Sequence, residues 1–352
     1  GGNTNKICAA DAFIGGGSEN IICREVMSGT AFHATIVGGR CNCTRANCSF
    51  IGGGKSNGMV CSAISSVIVG GTLNTSSAAC SFIGGGTNNT SSAACSFIGG
   101  GSSNELRSGN GVLVGGGSNL VCANGNVTLV GGCLNIASGC CTFLGGGNRN
   151  KAEGQQSVLV GGYNNTGSGN CSFIGGGSLN QATAANSSVV GGTLNTASSA
   201  CSFIGGGSSN HVSSTATTSF IGGGGSNSIT GLINGNSIAG GNNNSIEGSA
   251  NSHHSILGGA YNCISTPSTS CNANTIAGGC INFIDNSKCS VIGGGHKNCI
   301  YCCGIITIAG GEYNTGSAAY ATIGGGYSNN NAGFISTIAG GCDNCSTAQY
   351  TS

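Results

Sequence analysis

Charge is scarce in this sequence: Asp, Glu, Lys and Arg make up 5% of 352 residues, against about 25% in ordinary soluble proteins. The balance is a net +1 with no basic stripe, so nothing supports binding to nucleic acid or to an anionic membrane. Pro is nearly missing too (Pro267 alone), and no Gly-X-Y triplet recurs, which excludes collagen even though Gly is 71 of 352. No stretch approaches the roughly 18 unbroken apolar residues that a membrane span needs. No initiator Met and no signal peptide stand at the start. Neither an acid/base pair, a nucleophile constellation nor a cofactor loop stands out, so the chain reads as a non-enzyme without a cofactor.

What is present is one pattern, repeated. It runs [Ile/Leu/Val]-[Gly/Val/Ala]-Gly-Gly-x-x-Asn, with the Asn at positions such as Asn20, Asn42, Asn57, Asn74, Asn89, Asn104 and Asn119 and onward to Asn344. There are 21 complete copies, and 12 of the 21 intervals from Asn5 to Asn344 are 15 residues long. Self-similarity at a short fixed period marks a solenoid. Disordered Gly/Ser linkers have no such fixed apolar rhythm. The array therefore reads as a single continuous domain over residues 1–352.

Cys80–Ala94 serves as the type repeat. Ser81-Phe82-Ile83 is a short β-prone run bounded by Gly. Fifteen residues at about 3.3 Å each make a loop of roughly 50 Å, enough for two short strands and two tight turns but no helix. Coils stacked at about 4.8 Å would pair each strand with its copy as a parallel sheet. The fold class is thus all-β, a parallel β-solenoid (β-roll) of about 22 coils, with an expected rod length on the order of 100 Å.

Six residues before each Asn stands an aliphatic side chain: Ile14, Ile36, Ile51, Ile68, Ile83, Ile98, Leu113, Leu129, Leu144, Leu159, Ile174, Val189, Ile204, Ile221, Ile238, Ile256, Ile276, Ile292, Ile308, Ile323 and Ile338. This inner column is expected to fill the coil. Neighbours along a strand face opposite sides, so the preceding position forms an outer column, holding Phe13, Phe50, Phe82, Phe97, Phe143, Phe173, Phe203 and Phe220. An exposed Phe stripe is an aggregation hazard. Its expected use is as a chain-chain seam, with Phe50, Phe82, Phe97, Phe143, Phe173, Phe203 and Phe220 as the seam residues. The Gly pair suits a tight turn. The Asn suits a second turn, through its tolerance of the left-handed conformation, and stacked Asn side chains can bond one another.

The segment Gly161-Gly162-Tyr163-Asn164-Asn165-Thr166-Gly167-Ser168-Gly169-Asn170-Cys171-Ser172-Phe173-Ile174-Gly175 resembles the YadA-like head repeats of trimeric autotransporter adhesins. Asn314 to Tyr320 and Asn195 to Cys201 match the second half of that repeat. The resemblance covers essentially the whole chain and extends to viral and other surface fibres. It implies a left-handed β-roll and three chains side by side, with one strand face lining the coil and the other the trimer seam. No heptad stalk or membrane-anchor barrel accompanies the repeats, and the Cys content departs from the bacterial family.

The 23 Cys favour an oxidising compartment if they are paired. Cys48, Cys80, Cys95, Cys141, Cys171 and Cys201 all lie six residues after a repeat Asn. Cys80 and Cys95 are equivalents in consecutive coils, about 4.8 Å apart between Cα atoms, which makes them a candidate disulfide. Free buried thiols fit the same positions. Cys299/Cys302 and Cys342/Cys345 have zinc-like spacing but lie in different coils, so no metal site is assigned. Gly54-Lys55-Ser56 lacks the leading Gly of a phosphate loop, since Ser49 stands there.

The functional expectation is a structural surface fibre or adhesin-type protein: a rigid homotrimeric rod at a cell or virion surface, with a receptor or glycan as a conceivable partner. A self-assembling filament or envelope protein with end-to-end coil stacking is the alternative, suggested by a chain that starts at Gly1 and stops at Ser352 inside the repeat, as if cut from a longer chain or open-ended. An ice-binding solenoid is a third reading, from Thr35, Thr128, Thr275, Thr307, Thr322 and Thr337 in the outer column. If the rod binds a ligand, the longer insertions around Cys23–Ala31 and His253–Asn274 are the expected places.

Overall fold

The computed structural model describes residues 1–23, 32–107, 109–232, 234–249, 253–266, 273–301 and 304–349. The chain is an all-β parallel β-solenoid of about 21 turns of ~15 residues. Contacts divide it into two units, Gly1–Cys171 and Ser172–Ser352, built on the same plan.

Each coil contributes two very short strands. In the type repeat these are Phe82–Ile83 and Thr90–Ser91. Each pairs in parallel with its copies in the coils before and after: Phe82↔Phe97 and Ile83↔Ile98 in one sheet, Thr90↔Glu105 and Ser91↔Leu106 in the other. The second unit repeats this with Ile204↔Ile221 and Ala197↔Val212. A third contact was not legible in the sequence. Two residues before each Asn, an isolated parallel bridge links coil to coil, as in Thr72↔Thr87↔Ser102. The register places each column over its own copy, so a sequence column becomes a physical stripe.

The corners need left-handed backbone. The Gly three residues before each Asn supplies one, with Gly86 at φ +89°. A Cβ there would lie 2.1 Å from the Gly101 carbonyl oxygen of the next coil, so only Gly fits. The other left-handed corner near the Asn corrects the sequence reading. It falls on the residue before the Asn, for example Leu73 (φ +58°), Asn88 (φ +57°) and Leu194 (φ +60°). The Asn points inward and spends its amide on neighbouring coils.

That amide is the polar spine of each unit. Asn104 is fully buried. Its Nδ2 donates to Gly100 O of its own coil (3.0 Å) and to Gly116 O of the next (2.9 Å), while its Oδ1 accepts the Asn119 N–H (3.1 Å). The same set recurs at Asn195, with Gly191, Gly207 and Asn210. Buried amides survive only when so satisfied.

The inner column is buried throughout the described coils except at Ile14, which is half-buried, and Ile338 retains 8% exposure. A second inner column, two residues after each Asn, faces it from the other sheet. It holds Ile22, Met59, Leu106 and Val121 in the first unit and Val212, Ile229, Ile246, Ile264, Ile284 and Ile300 in the second, all buried. Between these large residues stand small ones such as Ser76, Ser91, Ala137 and Ala197. Where both facing positions are hydroxylic they bond each other, as Thr44 Oγ1 does with Ser49 Oγ (2.7 Å) and Ser91 with Ser96.

Candidate functional surface

The outer column and the position two residues after it share the outward face of the first sheet. All eight outer Phe are followed, two residues on, by Gly: Phe13/Gly15, Phe50/Gly52, Phe82/Gly84, Phe97/Gly99, Phe143/Gly145, Phe173/Gly175, Phe203/Gly205 and Phe220/Gly222. In every case a Phe ring carbon lies 3.3–3.5 Å from where a Cβ on that Gly would stand. The ring therefore lies across bare Gly backbone. Where the outer residue is Thr, Val or Ser, the partner position usually carries a side chain, as in Thr35/Val37, Val67/Val69 and Ser188/Val190. Either arrangement keeps the strip apolar.

This covering is partial. Phe50, Phe97, Phe143, Phe173 and Phe220 remain exposed, whereas Phe82 and Phe203 are half-buried. Phe82 stacks on Phe97 (centroids 5.1 Å, 3° between planes) and Phe203 on Phe220 (5.4 Å, 4°). Val37, Val69, Val114, Val130, Val160 and Val190 are also exposed beside them. Each unit thus presents an apolar stripe along one sheet face. The Thr of the ice-binding reading form a short consecutive run at Thr307, Thr322 and Thr337, with Val291 before it.

Cys48, Cys80, Cys95, Cys141, Cys171 and Cys201 occupy left-handed corners and are exposed free thiols. Cys289 occupies a like corner and was missed because it lies seven residues after Asn282, in a longer coil. Cys80 and Cys95 are one rung apart, held by Cys80 N–H to Ile64 O (2.8 Å) and Cys95 N–H to Ala79 O (3.0 Å). The described cysteines are free thiols. Cys263 lies largely out of water beside Phe283 in register, and burial pushes its thiol up to about 11.

Ionisable groups elsewhere do not converge. Among the described residues no group of three or more His, Cys, Asp or Glu could hold a metal ion. Cys342 and Cys345 are exposed, and Cys302 lies outside the described residues. Lys55 sits in the bridge ladder between Arg40 and Thr72. His254, expected in a solvated loop, is instead fully buried. Its Nδ1 accepts the Asn274 N–H (3.1 Å) and its Nε2 meets Thr266 Oγ1 (2.9 Å). Burial, with a smaller contribution from His253, lowers its pKa to about 4. Nothing in the sequence marked it as interior, because a longer coil separates it from the regular Ser column it continues. Of the two insertions expected to bind ligands, residues 24–31 and 267–272 lie outside the described residues.

A cluster not anticipated from sequence sits on the ridge formed by the two residues before the Asn. His296 Nδ1 meets Glu312 Oε1 (3.0 Å), Lys297 Nζ donates to Tyr313 Oη (2.8 Å), and Tyr313 packs edge-on against His296 and Tyr327.

No protein-family model matches this sequence, and no curated protein matches it either.

Proposed function

We propose that this chain is a structural fibre protein of the YadA-like head type, a stiff β-solenoid that packs side by side with two further copies at a cell or virion surface. The observation that supports this reading is the apolar stripe on the outward sheet face. Monomeric soluble proteins rarely leave contiguous apolar patches beyond a few hundred Å² in water. Phe50, Phe97 and Phe143 with Val69, Val114, Val130 and Val160 lie on one face of the first unit, and Phe173, Val190 and Phe220 on the corresponding face of the second. A second copy of the same chain offers a stripe of the same repeat spacing, so ridges of Phe and Val can meet in register. Low charge and a pattern without a catalytic constellation fit a role of display, attachment or coat building.

Sedimentation equilibrium and native mass spectrometry test this. The parent chain is expected at three times its 33.8 kDa mass. Replacing Phe50, Phe97, Phe143 and Phe173 by Ser should release monomers that keep the parent's strand signal in circular dichroism. A parent that stays monomeric at micromolar concentration, with its Phe residues open to solvent, refutes the reading.

A further inference from the structure

Only two pairs of Cys occupy the same position, counted from the repeat Asn, in consecutive coils: Cys80 with Cys95, and Cys8 with Cys23. The second pair lies three residues after Asn5 and Asn20, immediately beyond the paired strands Lys6–Ile7 and Ile21–Ile22. Those strands run parallel with Ile7 opposite Ile22, and the Cys8 N–H donates to Ile22 O at 2.8 Å, which sets Cys8 opposite Cys23. The ladder spacing of about 4.8 Å falls inside the Cα range of natural disulfides. The side chains already meet, since the two thiols hydrogen-bond each other.

We propose that Cys8 and Cys23 form a redox-active dithiol that closes to a cross-coil disulfide, with an oxidised small-molecule disulfide as its co-substrate. The two thiols differ in access. Cys8 is exposed and Cys23 half-buried. Burial first, and the bond to Cys8 next, push the Cys23 thiol up, with the Lys6 ammonium acting in the opposite direction. An incoming disulfide RSSR therefore meets Cys8 first. The Cys8 thiolate attacks one sulfur, a Cys8–S–S–R mixed disulfide forms, and RS⁻ leaves. Cys23, deprotonated to solvent, then attacks the Cys8 sulfur and expels the second RS⁻. The two protein thiols lose two electrons and two protons, and RSSR gains them as two RSH. An exposed attacking thiol beside a shielded resolving one is the arrangement that favours closure over a lingering adduct. The Cys80–Cys95 pair supplies an internal comparison, because both of its members are exposed and neither is shielded to act as the resolving thiol. This inference does not rest on the fibre reading.

The intact chain is equilibrated in glutathione buffers of increasing oxidised-to-reduced ratio, then alkylated, digested and mapped. The Cys8–Cys23 linked peptide should appear at a ratio at least tenfold lower than any Cys80–Cys95 link. In the Cys23→Ser variant, Cys8 should instead hold a stable glutathione adduct. The proposal is overturned if the parent keeps both Cys8 and Cys23 alkylatable in buffers that already link Cys80 to Cys95. It is equally overturned if both pairs stay reduced where a model dithiol peptide is fully oxidised. Both overturning results come from the parent chain, so neither depends on how the variant folds.

Discussion

Replacing Asn104 by Leu tests the polar spine directly. Leu has nearly the volume of Asn but neither donates nor accepts. Two groups then lose the only partner they have among the bonds described above: the Gly100 carbonyl, bonded at 3.0 Å, and the Asn119 N–H, bonded at 3.1 Å. The Gly116 carbonyl keeps the Ser102 N–H at 2.9 Å, and Asn89 Oδ1 keeps the Asn104 N–H at 3.1 Å. An orphaned buried group costs about 1–3 kcal/mol, so two of them cost about 3–4 kcal/mol. Against a typical domain stability of 5–15 kcal/mol that is a large loss. It should also be local, because a coil stack is coupled mainly between neighbours. Hydrogen exchange should show the Asn119 amide losing protection, while amides several coils away change little. Asn104→Asp separates hydrogen bonding from volume. Its carboxylate keeps an acceptor for Asn119 but turns an oxygen toward the Gly100 and Gly116 carbonyls in place of a donor. The folded-state pKa of that Asp should be raised. The variant should therefore be at its best in acid and lose stability as pH rises through the raised pKa. An Asn104→Leu chain that melts within 1 kcal/mol of the parent with Asn119 still protected would refute the argument.

Three further outcomes follow from the same geometry. Gly71→Ala places a Cβ 2.2 Å from the Gly86 carbonyl at φ +90°, whereas Gly70→Ala meets nothing within 4 Å; the first should unfold its coil at markedly lower denaturant and the second should track the parent. Gly99→Val drives a side chain into Val114 O and to 3.4 Å from the Phe97 ring, so it should cost about 1–3 kcal/mol, and a double-mutant cycle with Phe97→Thr should recover part of that cost. His254 is held neutral, with its pKa lowered to about 4 from a model value of 6.5. Its contribution is complete above pH 6.5 and is lost as pH falls toward 4. Denaturant melts from pH 7 to pH 4 should show this slope, and His254→Asn, which matches Asn236 and Asn274 on the adjacent coils, should flatten it.

The sequence made the inner column legible because its chemistry never varies: a buried β-strand site two residues long tolerates little besides Ile, Leu or Val. The solenoid class followed from the period alone. The Asn was read for its backbone tolerance, and there the inference went to the wrong residue. Left-handed corners accept Leu73, Leu194 and Ile281, residues with no turn propensity, because the surrounding ladders hold the backbone there at a cost of about 1–2 kcal/mol each. Propensity therefore carries no signal at those corners. The outer Phe column was visible, but its pairing with Gly required looking two residues ahead at a covariation within the chain. His254 and the Cys8–Cys23 contact were hidden by irregular coil lengths, which shift a residue's count from the Asn without shifting its place in the stack.

Those irregular lengths obey a packing rule of their own. In coils of 15 residues the second inner position is small or polar: Thr44, Ser76, Ser91, Ala137, Ala152, Gly167, Ala182, Ala197, Gly316 and Asn331. In coils of 16 or more it is large: Ile22, Met59, Val121, Val212, Ile229, Ile246, Ile264, Ile284 and Ile300. A longer loop encloses more cross-section, and an unfilled interior costs stability in proportion to the void. The exceptions support the same logic. Ile7 is exposed rather than interior. Leu106 sits in a 15-residue coil, but the facing site is Gly111, where a Cβ would come within 2.2 Å of a Leu106 methyl. At the opposite extreme, Gly316 faces Ile306, whose methyl would lie 2.6 Å from an added Cβ. Coil length and core volume are thus set together, coil by coil. An insertion is compatible with the stack when the residue two after the Asn grows with it, which is why the array absorbs intervals of 15 to 22 residues without losing its register.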